Sequence, residues 1–170
     1  MDYLMIVLRI VHIFSGVTWA GGAIVMTAFV GPTAKELGDD ASKFMQQLSL
    51  RSRFVPTMVW VAILTPISGI WMYWHLFHGI NVSSGAGLAL TFGGVFGLIG
   101  AFLGFYTQKR NIDRVKKIVA EIAASGGPPK PEQMAEIQSR NEAAAKGGAL
   151  TTVALVLAIL GMTLSEYFAI

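Results

Sequence analysis

Hydrophobic positions along this chain fall in four long blocks, and charge is largely confined to the stretches between them. The blocks run from about Tyr3 to Thr33, Phe54 to Phe77, Ala86 to Gln108 and Ala149 to Ala169, each without a carboxylate until its very end. A helix needs about 20 apolar residues to cross the hydrocarbon core of a bilayer. Backbone groups surrounded by lipid must pair within their own segment. The pattern therefore predicts four transmembrane helices.

A second pattern lies between the third and fourth blocks. Ile112, Val115, Ile118, Val119 and Ile122 recur at helical spacing, so the third helix is expected to run on past its apolar part. Ser125-Gly-Gly-Pro-Pro-Lys-Pro131 breaks it, and Pro131 suits the first turn of a new helix that carries Met134 and Ile137 towards the fourth block. In the first loop, Asp40 reads as the N-cap of a short amphipathic helix with Phe44 and Leu48 on one face. The expected fold class is all-α. It is an integral membrane four-helix bundle, one domain over residues 1–170, with a cytoplasmic helical hairpin over about 109–148 between helices 3 and 4.

Charge supplies the orientation. Twelve of the 13 Lys and Arg residues fall in the first and third loops, and none in the second. The positive-inside rule makes those two loops cytoplasmic, so both termini and the second loop are expected to face out. Tyr3, Trp71, Tyr73, Trp74 and Tyr167 would then form an outer aromatic belt. The expected location is the cell inner membrane, multi-pass. Composition agrees: 54% of residues are hydrophobic and 14% charged, with a mean hydropathy of +0.58, too little charge for a soluble domain. With no cysteine, disulfides, thiolate metal sites and redox thiols are excluded. Basic residues border the apolar blocks without forming an aromatic-studded patch, so membrane lipid and not nucleic acid is the expected partner. Arg9 interrupts the first block, which is also too long for a cleavable signal peptide.

Ionisable groups inside the apolar blocks are the candidate chemistry, because burial in lipid makes each one expensive. They are Arg9, His12 and His75, with His78 at the outer edge. No carboxylate sits in mid-span, which argues against a proton-relay pump. Arg9, His12, Gly16, Trp19 and Ala23 share one helical stripe; Thr57, Trp60, Leu64, Ser68, Trp71, His75 and His78 share another. His12 lies 21 positions before Thr33, and His75 21 positions after Phe54. Both would stand roughly 30 Å from the inner edge. Two level histidines can ligate a b-type haem. Gly16 would admit the macrocycle, Trp19 and Trp71 would wall it, and Arg9 would pair with a propionate. The bland alternatives are an interhelical hydrogen bond for His12 and snorkelling for Arg9.

Copper uses the same atoms. His75 and His78 stand at i and i+3, imidazole suits copper, and Met5 and Met72 lie at similar height. A third reading is a structural subunit of a membrane complex. Gly93, Gly97, Gly100 and Gly104 on the third block permit close packing within the chain, a homodimer, or room for a porphyrin.

The segment LRIVHIFSGVTWAGG, from Leu8 to Gly22, resembles the first helix of CopD-like and HemJ-like bacterial membrane proteins, with a histidine followed seven residues later by a tryptophan. FVPTMVWVAILTPISGIWMYW, from Phe54 to Trp74, resembles their second helix, where Thr-Pro precedes a glycine one turn later. The resemblance implies the four-helix architecture and a haem or copper site near His12, the position matching the haem-associated histidine of HemJ-like proteins. Beyond Gly22 the chain reads AIVMTAFVGPTA, where HemJ-like proteins carry aromatic residues, an arginine and a further histidine, so the resemblance does not select protoporphyrinogen oxidation. Taken together, the sequence predicts a membrane haem b protein with a redox partner, acting in electron transfer or as a haem-dependent oxidoreductase.

Overall fold

The computed structural model describes residues 2–76 and 83–168, and among these it holds helices and no strands. Helix α1 (Tyr3–Val25) opens on Asp2, whose carboxylate accepts the N–H groups of Leu4 and Met5 at 3.1 and 3.3 Å. These are two of the donors that every helix start leaves unpaired. Through a π-type turn at Met26–Val30 it continues into α2 (Gly31–Glu36) as one rod of 34 residues. Helix α3 (Asp39–Gln46) starts two residues earlier than expected, with Gly38 and not Asp40 at the N-cap position. Gly38 has φ 57°, a conformation that glycine adopts without strain.

Helix α4 (Phe54–Leu76) carries Pro66 in its interior. Proline lacks an N–H, so the Ala62 carbonyl loses its usual donor there. Helix α5 (Gly85–Leu103) starts on Ser84, whose hydroxyl accepts the Gly87 N–H at 3.1 Å. It passes through another π-type turn, Gly104–Lys109, into α6 (Arg110–Ser125), which ends at Gly126 with φ 65°. Helix α7 (Pro131–Leu164) then runs for 34 residues with Pro131 in its first turn, and a 3-10 turn, Ser165–Phe168, follows.

Four of these rods are long and apolar enough to cross a membrane, which suggests a multi-pass membrane protein. The surface supports this. Phe14 is 73% exposed and Phe102 68%, and both belong to broad apolar faces that water would not tolerate in a monomer.

Two helix pairs make the bundle, α5 with α7 and α1 with α4. The first pair is set by small residues. A methyl built on Gly93 would stand 2.9 Å from the Ala158 carbonyl oxygen, and one on Gly161 would stand 2.8 Å from the Gly93 nitrogen. The two backbones therefore meet directly. Gly100 meets Leu155, Gly104 faces Thr151 and Gly97 faces Ala158, so the whole glycine stripe of the third span is covered by α7. It opens neither a porphyrin slot nor a dimer face. The two pairs join where Trp19, Ala20 and Leu155 are buried against Met58, Val61, Ala62 and Ala101.

Hydroxyls fasten the rods at several levels. Tyr73 and Thr91 tie α4 to α5 at 2.7 Å, and Thr27 and Thr152 tie the π-type turn after α1 to α7 at 2.9 Å. Each such bond between membrane helices contributes about 0.6 kcal/mol, so they set register more than stability. Tyr73, expected in the outer belt, is thus turned to its neighbour, while Trp74 and Tyr3 are exposed. Helix α6 packs on the start of α7. Ile118 of α6 is buried, and the Arg114 guanidinium meets both Glu136 oxygens, at 2.8 and 3.0 Å.

Candidate functional site

His12 sits on the inner side of α1 against the middle of α4. Its Nδ1 is 2.8 Å from the Thr65 carbonyl oxygen and 3.3 Å from Ser68 Oγ. A carbonyl can only accept, so Nδ1 carries the hydrogen, and in the neutral ring Nε2 carries the lone pair. Nε2 has no hydrogen bond among the described residues and is not sealed inside the protein. The ring lies over Gly69: a methyl there would stand 2.8 Å from His12 Cε1.

Three hydroxyls surround this contact. Ser15 and Ser68 are buried. Thr65 Oγ1 donates in a shared arrangement to Ser15 Oγ at 3.0 Å and the Val61 carbonyl at 2.7 Å. Ser15 donates back to the Val11 carbonyl at 2.6 Å, and Ser68 to the Leu64 carbonyl at 2.6 Å. Each hydroxyl is thereby satisfied within its own helix and still reaches across. Ser15 and Thr65 escaped the sequence-based choice of site residues. The available signal was their position one turn from His12 and from Gly69.

His75 has a different partner. Its Nε2 lies 2.8 Å from Asp2 Oδ2, at the outer end of the α1/α4 pair. The Asp2 carboxyl is held below its usual range, first by the Met5 N–H at the helix start and further by the imidazole of His75. That contribution is present above the ordinary aspartate pKa and is lost as the pH falls through the lowered value. Both groups are about half exposed, so water screens the pair.

The expected level match between His12 and His75 is therefore absent. His12 stands level with Gly69, six positions before His75, which places His75 about 9 Å further out along α4. The two imidazoles are not brought to one iron. The reason is helix register: Gly22 of α1 lies against Met58 and Phe54, so the residues level with the start of α4 come well before Thr33. His78 lies outside the described residues. Trp19 is in the core and does not wall a slot, and the face of Gly16 is filled by the Thr65 methyl at 3.6 Å. Arg9 and Trp71 are exposed. Among the described residues no group of three His, Cys, Asp or Glu side chains converges as a metal site.

No family model, no curated protein and no solved structure matches this chain.

Proposed function

We propose that the chain is a membrane protein that binds b-type haem through His12 and serves electron transfer or redox chemistry in the outer half of the bilayer. The observation that carries this reading is the hydrogen bond from His12 Nδ1 to the Thr65 carbonyl. It holds the ring at one angle and leaves Nε2 as an unpartnered base, the usual way in which a ligating histidine is oriented. A neutral imidazole nitrogen is a haem-iron ligand. Gly16 and Trp19 are taken up by packing between the helices, so His12 is the residue that would hold the group. Arg9, exposed one turn outward, is then available to a propionate. Bound haem would supply one-electron exchange at its iron. The chain's part is to fix the ligand angle through Thr65 and Ser68. The resemblance to CopD-like and HemJ-like helices converges on the same histidine.

An optical spectrum of detergent-purified protein, expressed with ample haem, tests the reading. A Soret band is expected in the native protein. His12→Ala should abolish it and His75→Ala should leave it, because His75 is engaged with Asp2. A colourless native protein, or an unchanged band in His12→Ala, would sink the assignment. The runner-up is a structural subunit, favoured by the fit of the His12 ring onto Gly69 as a plain interhelical clamp. It predicts a colourless protein that purifies with partners.

The orientation belongs to the same proposal. The basic first and third loops lie in the cytoplasm, the α6/α7 hairpin projects there, and both termini face out. Because the chain has no cysteine, single cysteines report topology cleanly. In intact cells, Ser83→Cys should react with a membrane-impermeant maleimide and Ser125→Cys should react only after lysis. The reverse labelling would invert the topology.

A further inference from the structure

A groove of about 390 Å³ opens at the basic end of α4. Its polar end is formed by Ser49, Ser52 and Lys116, the last contributed by α6. Its apolar side is Val55, Val59 and Ile63, with Trp60 alongside. On α4 these residues follow one another at spacings of three and four, so they form a single stripe. From Val55 to Ile63 the stripe runs about 12 Å, most of the ~15 Å depth of one leaflet. No carboxylate lines the groove. Lys116 makes no ion pair among the described residues, nor do Arg51 and Arg53, which flank Ser52 in sequence. The Ser49 hydroxyl is also without a hydrogen-bond partner among the described residues.

We infer that this groove holds one anionic phospholipid, with its phosphate at Lys116 and Ser49 and an acyl chain along Val55, Val59 and Ile63. The polarity is ordered as a lipid requires: cation and hydroxyls stand at the charged boundary of the span, and the apolar stripe points from there towards mid-bilayer. A zwitterionic lipid has the same chains but no net charge to match an unpaired lysine. A free phosphate would use the lysine but leave the stripe idle. The inference rests on the chain's spanning a membrane and is independent of haem.

Native mass spectrometry of the detergent-purified full chain tests it, with phosphatidylglycerol and phosphatidylcholine of identical acyl chains as probes. Phosphatidylglycerol should be retained in preference, at one molecule per chain. Lys116→Ala should weaken that retention about fivefold, the effect of one basic residue at an anionic headgroup. Lys117→Ala removes the same charge from the neighbouring position outside the groove and should leave retention unchanged. Glycerol 3-phosphate should not compete. Equal retention of both lipids, equal loss in the two lysine variants, or competition by glycerol 3-phosphate would each overturn the proposal.

Discussion

A leucine at position 161 should prise α7 from α5. At Gly161 a single added methyl already comes within 2.8 Å of the Gly93 nitrogen and 2.9 Å of its Cα. Those are backbone atoms of a helix and cannot swing aside as a side chain would. The opposing helix is equally closed, because Gly93 looks onto the Ala158 carbonyl and the Met162 nitrogen. Overpacking a well-fitted core costs about 1–3 kcal/mol, and a contact between two backbones belongs at or above the top of that range. In a membrane the loss is not softened by hydrophobic association, since lipid tails are as apolar as the partner helix. Unfolding in mixed micelles by increasing SDS should therefore shift to much lower SDS for Gly161→Leu. Gly94→Leu is the matched control. Nothing lies within 4 Å of a methyl at Gly94, so that variant should unfold like the native protein. Equal behaviour of the two would refute the close approach of α5 and α7.

The second large effect is expected at Gly69. Alanine there would place a methyl 2.8 Å from His12 Cε1 and 3.2 Å from Nδ1. The ring must shift, and its 2.8 Å bond to the Thr65 carbonyl is disturbed with it. The stability cost is small, about 0.5–1.5 kcal/mol for a hydrogen bond, but the ligand geometry is lost. Gly69→Ala should thus fold normally by circular dichroism, retain little haem, and lose the Nδ1–H tautomer signature in histidine ¹⁵N spectra. Gly16→Ala tests the opposite flank of the same contact. Its methyl would meet Thr65 at an ordinary 3.6 Å, so haem retention should be unaffected. If Gly69→Ala keeps both haem and tautomer, the fit of His12 onto α4 is not as described.

The four rods were legible in the sequence because lipid imposes a coarse demand, about 20 apolar residues in a row, that composition alone can meet. The break at Ser125–Pro131 was legible for a local reason, since glycine and proline act on their own backbone. The glycine stripe announced close packing but not its partner, because Gly161 and Ala158 on α7 offer the same small face to any helix. Register between helices was the illegible part. Lys35 and Arg53 mark where charge resumes, but α1 and α2 form one rod to Glu36, so equal counts from those marks do not mean equal depth. That is why His75 was placed beside His12 when its partner is Asp2. Asp2 was passed over because it lies outside the apolar blocks. Antiparallel neighbours bring the first residue of one helix to the last turn of the other, and an aspartate and a histidine at those two places could have been matched on that ground.

Helix α7 also has a mechanical meaning. Its 34 residues make one continuous helix about 50 Å long, against a hydrocarbon core of about 30 Å. The half that packs on α6 runs as one unbroken helix into the half that carries Gly161, with Gly147 and Gly148 between them. With Gly147 against Thr107, Leu155 against Gly100 and Gly161 against Gly93, a push on the α6 end of the rod would load every level of its contact with α5 and its continuation. Strain applied at the α6 end of α7 would then reach the centre of the bundle through one helix.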